Sequence, residues 1–411
     1  MSRRVVVTGM AGLCPIGQEW KQVRDALRAG RSGVTRIPEW DDVEGLATRL
    51  GARVPDFVVP ESYPRKKTRS MGRVSLMLTR AAELALEQAG LRDSPELTSG
   101  RLGVSCGSSS GSPPAIGIYA RQLFVGRTTS GIGANDYLQF MSHTTAANLA
   151  SFFGVRGRVI PTSSACTSGS QGIGYGYEAI LHGHQEIMLA GGAEELDTID
   201  AAVFDVLFAA STRNHEPERT PRPFDRDRDG MVAGEGAGCL VLEELEHARR
   251  RGARILVEVI GFATNCDGRH LTLPDPKGME QVMRLGLASA GLSPEQIGYL
   301  NAHGTATEVG DIAESRATHA VFGSHTPIST LKGHLAHTLG ACGALEAWIT
   351  IEMMREGWFA PTLNLDVIDE RCAPLDYLRG EPRSLSVDVV MSNNFAFGGI
   401  NTSLLFRRWD E

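Results

Sequence analysis

Residues 159–180 read Val159-Ile160-Pro161-Thr-Ser-Ser-Ala-Cys166-Thr-Ser-Gly-Ser-Gln-Gly-Ile-Gly-Tyr-Gly-Tyr-Glu-Ala-Ile180. A short apolar run passes through small polar residues to one cysteine, and small residues then continue at helical spacing toward Tyr177, Ala179 and Ile180. This reads as strand, tight turn and helix, with Cys166 at or near the helix start. A thiol there faces unpaired backbone N–H groups and the positive end of a helix dipole, both of which favour thiolate. The dipole contributes roughly 0.3–1 kcal/mol, less than the ~1.4 kcal/mol that moves a pKa by one unit, so a further base or donor must complete the activation. A lone cysteine is ordinarily a packing residue. Here Ser, Thr and Gly are expected to leave space around the sulfur that a core position would fill.

The composition bounds the class. With 411 residues the chain is large enough for two or three domains or one duplicated body. Its 42% hydrophobic and 22% charged residues are those of a globular protein. No apolar run approaches the ~20 residues of a membrane span. The start, Met-Ser-Arg-Arg-Val-Val-Val-Thr-Gly, is too short in apolar residues for a signal peptide, so a cytoplasmic location is expected. Seven cysteines without a C-x-x-C pair fit free thiols. A net charge of -7 argues against general nucleic-acid binding but leaves room for a local basic patch.

Outward from the cysteine, strands running into small-residue loops recur. Val5–Thr8 meets Gly9, with a helix expected from about Gln18 to Leu27 and an irregular excursion over 31–64. Leu102-Gly-Val-Ser-Cys106 enters a Gly/Ser loop, Ala146–Phe153 reads as an apolar helix, and Glu186-Ile-Met-Leu-Ala-Gly-Gly-Ala as a buried strand. A mostly buried, mixed or parallel sheet is the economical account. Val257–Ile260 before Gly261 repeats the opening of the chain and hints at duplication, with a boundary near 250 at Arg249-Arg-Arg-Gly. The resulting division is a first half, 1–250, and a second, 251–411.

A helix is expected over Arg69–Ala89, and its front is electrostatically misplaced. Arg65, Lys66, Lys67, Arg69 and Arg73 gather there with no acid between Glu61 and Glu83, although a helix start favours anions. Docking of an acidic partner would explain the cluster; a solvated basic face is the plainer alternative.

Two motifs mimic known sites. Asp225-Arg-Asp227-Arg-Asp229-Gly230 imitates a calcium loop, but the position of the bidentate Glu holds Gly236, and Pro221 and Pro223 oppose an entering helix. Gly174-Tyr-Gly176-Tyr-Glu-Ala179 imitates a dinucleotide fingerprint, yet no strand directly precedes it. Neither is accepted.

Two stretches add histidines in Gly- and Thr-rich loops. They are Ala302-His303-Gly-Thr305-Ala-Thr307 and Lys332-Gly-His334-Leu-Ala-His337-Thr-Leu-Gly-Ala-Cys-Gly-Ala-Leu-Glu346. With a candidate nucleophile they suggest a catalytic trio rather than structural histidines. Zinc is disfavoured, since there is no H-E-x-x-H and no paired cysteine set.

Together with Asn393-Asn-Phe395-Ala-Phe397-Gly-Gly-Ile-Asn401, these motifs, in this order, resemble the elongating β-ketoacyl-acyl-carrier-protein synthases from Val5 to Phe406. The resemblance implies a thiolase-like fold, a duplicated five-layer α/β/α/β/α body, usually dimeric, with no cofactor or metal. It implies that Cys166 takes an acyl group from a carrier-protein thioester. The N–H groups of Cys166 and Phe397 would form the oxyanion hole. His303 and His337 would hold the enolate left when a malonyl-carrier protein loses carbon dioxide, and the product would be a 3-oxoacyl chain. Lys332 would pair with Glu314, Thr305 and Thr307 would grip a phosphopantetheine arm, and Phe397 would gate the acyl tunnel. Arg65, Lys66 and Arg69 would meet the acidic carrier protein. The Ala-Phe-Gly-Gly-Ile-Asn-Thr-Ser ending is similar to ketosynthases of aryl polyene pathways.

Two positions depart from the family pattern. Ala336 stands where glycine usually precedes the second catalytic histidine, and its methyl is expected to shift that residue slightly. Ala396 replaces a gating-loop glycine, which leaves open a slower gate or a differently shaped acyl pocket. Competing readings are a biosynthetic thiolase, an initiating synthase, a chain-length-factor-like partner and a cysteine protease. Phe395-Ala-Phe397-Gly-Gly in place of a second cysteine opposes the first, His337 in place of asparagine the second, and the presence of Cys166 the third. The protease reading predicts no preference for thioesters.

Overall fold

The computed structural model describes residues 3–410. The strands that build the sheet are β1 (Val5–Leu13), β2 (Leu102–Gly107), β3 (Val159–Thr162), β4 (Ile187–Glu194), β5 (Gly236–Glu244), β6 (Val257–Cys266), β7 (Tyr299–Asn301), β8 (Pro327–Ser329), β9 (Val389–Ala396) and β10 (Ile400–Arg408). The helices packed on it are α1 (Arg73–Gln88), α2 (Thr144–Phe153), α3 (Ser168–Leu181), α4 (Pro276–Ala290), α5 (Glu308–Phe322) and α6 (Cys342–Glu356).

The strands run in the order β3-β2-β4-β5-β1, then β6-β10-β9-β7-β8 and the edge strand Asp376–Tyr377. In the first group β5 is antiparallel to both of its neighbours, β1 and β4, whereas β2 is parallel to β4 and β3 to β2. The second group repeats this pattern with β6, β10, β9, β7 and β8. The sequence hint of duplication at Val5 and Val257 therefore has its counterpart in topology. Among the described residues the strand ladders of the two groups join where Val5–Val7 pairs antiparallel with Val257–Val259.

Alternation along each strand sends side chains to two cores. Val5, Val7, Met188, Ala190, Leu240, Leu242, Leu404 and Phe406 face inward onto α3 and α6, which lie between the two sheet groups. Leu189, Val241 and Val104 face outward beneath α1 and α2, and Met391, Leu405 and Leu300 beneath α4 and α5. These are the five layers that the resemblance implies. Residues 342–354 of α6 are all buried, as expected of a helix hydrophobic around its whole circumference.

Two of the small residues after Cys166, Gly169 and Gly172, serve close packing. A Cβ at Gly169 would lie 2.9 Å from Ala344 N, and one at Gly172 only 2.3 Å from the Gly191 carbonyl. They allow α3 to press against α6 and the sheet, and neighbouring backbone occupies the place of a side chain at these two positions. Elsewhere the expected helix over 69–89 begins at Arg73, after a separate turn Arg65–Thr68. The 31–64 excursion contains Thr35–Arg36 and Leu50–Ala52, which form a small sheet with Ala233–Gly234. All seven cysteines are free, and no described helix is long and apolar enough to cross a membrane.

Candidate active site

Cys166 sits just before α3, in a turn where Ala165 adopts φ +49° and the Thr167 hydroxyl, at the position preceding the helix, donates back to the Ser164 carbonyl. Its thiol is buried beside the His337 imidazole, with Nε2 3.1 Å from Sγ. The His303 ring meets that of His337 edge-on at a centroid distance of 5.1 Å. The sulfur and one ring nitrogen from each histidine all lie within 4.8 Å of one another. They line a cavity of about 410 Å³ together with Thr305, Thr307 and Phe397. Residues from three distant stretches thus converge on one chamber.

Each imidazole is held in a defined tautomer. The Leu339 N–H donates to His337 Nδ1 at 3.2 Å, leaving the proton of the neutral ring on Nε2, toward the sulfur. Lys332 Nζ lies 3.2 Å from His303 Nδ1, which fixes His303 in the same form. Burial, then the Lys332 charge, hold both rings well below the ordinary histidine pKa. The chamber therefore presents two neutral N–H donors that resist becoming imidazolium.

Lys332 is not paired with Glu314, contrary to expectation. Its ammonium lies 2.5 Å from Glu346 Oε1 on α6, and both side chains are 1% exposed. Burial alone would lower the lysine pKa, but Glu346 outweighs it and the pKa ends above the ordinary value. The second Glu346 oxygen accepts from Asn394 Nδ2 at 2.7 Å. Glu314 instead accepts the His303 and Gly304 backbone N–H groups, one on each oxygen, at 2.7 Å. It shapes the loop that carries His303. A glutamate inside the apolar run Cys342-Gly-Ala-Leu-Glu-Ala-Trp was the available signal for Lys332's partner, because a buried carboxylate needs a compensating cation.

The helix end, expected to favour thiolate without completing the activation, is outweighed by burial. Burial pushes the Cys166 thiol up to about 11, against the opposing influence of the Lys332 charge and of the Phe397 and Cys166 backbone N–H groups. Low dielectric outweighs the helix end. A group with a raised folded-state pKa keeps its proton as pH rises past the ordinary thiol value. Iodoacetamide alkylation of Cys166 is therefore expected to accelerate steadily from pH 7 to pH 10; a plateau near pH 7 would contradict the buried-thiol geometry. The same two N–H groups face the sulfur, where a tetrahedral oxyanion on an acylated Cys166 would form.

Other sequence expectations resolve as follows. Thr305 and Thr307 are half-buried on the cavity wall, with their hydroxyl oxygens 2.9 Å apart. The half-exposed Phe397 ring lies 5.7 Å from Phe204, at the mouth, with Gly398 and Gly399 both at positive φ behind it. Arg65, Lys66 and Arg69 are exposed and, among the described residues, have no carboxylate within 4.0 Å, whereas Lys67 is bonded to the Phe152 carbonyl and Arg73 to Glu235. His334 does not face the chamber. It is buried between the Arg31 and Pro361 carbonyls, at 3.0 and 3.2 Å, a packing role.

Ala336 adopts φ +58° and ψ −169°, a region that favours glycine. His337 nevertheless keeps its place through a backbone bond to the Val232 carbonyl, and its own carbonyl accepts from Gly234. Ala336→Gly would relieve roughly 1–3 kcal/mol of strain. Against this stand the loss of a buried methyl, about 0.8 kcal/mol, and the greater freedom of the unfolded chain, about 0.4–1 kcal/mol. The expected result is a Tm equal to or slightly above that of the parent; a clear drop would show that the backbone is unstrained.

The comparisons with known proteins decide the family. The model of the beta-ketoacyl synthase N-terminal domain matches residues 2–248, and that of the C-terminal domain residues 256–366. The chain belongs to the β-ketoacyl synthase family. It is 38% identical to the 3-oxoacyl-[acyl-carrier-protein] synthase 2 of Coxiella burnetii, over 99% of each chain. A crystal structure of a beta-ketoacyl synthase from Burkholderia phymatum is 56% identical and superimposes with a TM-score of 0.98, covering 99% of this chain and 100% of that one. The ishigamide ketosynthase/chain length factor is 31% identical, with a TM-score of 0.91 and full coverage of both chains. A thiolase-like condensing acyltransferase is thus what this β-ketoacyl synthase fold provides.

Proposed function

We propose that the protein is a 3-oxoacyl-carrier-protein synthase in which Cys166 carries the growing chain. The sulfur attacks the thioester carbonyl of an acyl-carrier protein and expels the carrier thiol, leaving an acyl-Cys166 thioester. A malonyl-carrier protein then enters. The bond to its carboxylate breaks, carbon dioxide leaves, and the electron pair becomes an enolate whose oxygen accepts from Nε2–H of His303 and His337. The enolate carbon attacks the acyl-Cys166 carbonyl, the resulting oxyanion is held by the Cys166 and Phe397 N–H groups, and collapse expels the Cys166 thiolate. That thiolate takes up a proton, and the product is a chain two carbons longer.

The supporting observation is the pair of neutral N–H donors fixed beside the thiol. A general-base role would require an unprotonated Nε2, and the Leu339 and Lys332 contacts oppose that. Oxyanion donors of this kind supply roughly 3–4 kcal/mol each.

Thr305 and Thr307 would grip the phosphopantetheine arm, and the uncompensated Arg65, Lys66 and Arg69 would receive the acidic carrier protein. A second copy, or a related ketosynthase-like subunit, would cover the β3 edge, where Val159 is exposed. The composite ketosynthase/chain length factor among its structural relatives gives that second arrangement a precedent. The aryl-polyene-like ending suggests conjugated acyl groups as substrates.

The test is to mix purified protein with malonyl-carrier protein and a panel of saturated and polyunsaturated acyl-carrier proteins and to weigh the products. Addition of one two-carbon unit, lost in Cys166→Ala, is the expected result. Condensation that persists in Cys166→Ala would refute the scheme.

A further inference from the structure

The Asp225–Gly230 motif, rejected above as a calcium loop, contains an arginine that no step of the condensation uses. The Arg228 side chain is 2% exposed although it lies at the cavity wall. Its guanidinium donates from Nε to the Thr307 carbonyl at 3.3 Å, from one terminal nitrogen to the Glu308 carbonyl at 3.0 Å, and from the other to the Asp225 carbonyl at 2.8 Å. Asp369 Oδ2 lies 2.6 Å and Asp311 Oδ2 3.5 Å from it. Asp311 in turn accepts the Ala306 N–H at 3.1 Å, where Ala306 is held at φ +65°.

The loop from Gly304 to Glu308 is thus an unfavourable backbone conformation over-determined from one side. His303 and Gly304 are fixed by Glu314, and the Thr307 end is fixed by Arg228 and Asp311. A planar fork can meet several acceptors at once, which a lysine ammonium on a flexible stem cannot do in the same geometry.

We propose that Arg228 is the positioning residue for the pantetheine-binding threonines: it clamps the Thr307 and Glu308 carbonyls so that the Thr305 and Thr307 hydroxyls face the arm. This rests on the reading of those threonines given above. It assigns to the Asp225–Gly230 motif of one half a role in substrate binding at a loop of the other.

The experiment compares kcat/KM for a malonyl-pantetheine thioester with that for malonyl-N-acetylcysteamine, which keeps only the distal part of the arm. In Arg228→Lys the preference for pantetheine is expected to fall at least tenfold. Asp369→Asn, which loosens the same guanidinium without removing it, is expected to lower the preference in the same direction and carries the test if Arg228→Lys does not fold. The double variant Thr305→Ala/Thr307→Ala tests the underlying reading. If the double variant keeps the parental preference, the assignment of the threonines is wrong. If it loses the preference while Arg228→Lys and Asp369→Asn keep it, the proposal for Arg228 is overturned.

Discussion

Lys332→Ala is expected to lower condensation by on the order of 10²- to 10⁴-fold, the range spanned by loss of an oxyanion donor and by a misplaced histidine tautomer. Three effects act together. His303 loses the donor that fixes its Nδ1, both imidazoles lose the charge that adds to burial in keeping them neutral, and the Cys166 pKa rises further because Lys332 was lowering it. Alkylation of Cys166 at pH 8 should therefore slow as well. Glu346 is left as a buried, uncompensated carboxylate, which costs about 3–5 kcal/mol when one partner of such a pair is removed, so a large drop in Tm is expected. Glu346→Gln separates charge from packing. Without Glu346 the burial of Lys332 lowers its pKa, so the ammonium is lost at lower pH and the alkaline limb of the rate profile moves down. Glu314→Gln should destabilise the His303 loop and move that limb less than Glu346→Gln does, because Glu314 raises the Lys332 pKa more weakly than Glu346. If Glu314→Gln instead moves it and Glu346→Gln does not, the observed pairing is wrong.

His303→Ala and His337→Ala are each expected to reduce carbon dioxide release from malonyl-carrier protein by about 10²- to 10³-fold, the usual cost of one donor to a developing oxyanion. The two variants should differ in the first half-reaction. His303, whose Nδ1 is engaged by Lys332 and Asn394, makes no hydrogen bond to the sulfur among the described residues, so His303→Ala should still accept an acyl group on Cys166, seen as a mass increase on the intact protein. His337 Nε2 lies 3.1 Å from Sγ, so His337→Ala should acylate more slowly as well. Equal acylation in both variants would remove His337 from the first step.

Much of the fold was legible because it depends on short-range rules. Val5–Thr8, Leu102–Cys106 and Glu186–Ala193 announce strands by β-branched or apolar runs ending at small residues, and the helix over Ala146–Phe153 by its apolar content. The convergent trio was legible because Cys166, His303 and His337 each stand in a loop of small residues next to such an element. The early start assigned to the helix at Arg69 shows the limit. Gly72, which precedes Arg73, would meet Ser112 at 2.4 Å if it carried a Cβ, a constraint from far along the chain.

By itself, then, the sequence determined several of the strands and helices around the site, hinted at their repetition in two halves, and marked the cysteine and histidines that the structure brings together. Each of these follows from periodicity, sterics and side-chain chemistry within a few neighbouring residues. Tertiary structure alone decided that Lys332 meets Glu346 and not Glu314, that Leu339 and Lys332 make Nε2–H donors of both histidines, that Cys166 rests as a thiol, and that Arg228 reaches the Thr307 loop. The energy of a buried charge or proton depends on which faces of distant elements are pressed together and how dry the contact is, and residue spacing along the chain carries no record of either.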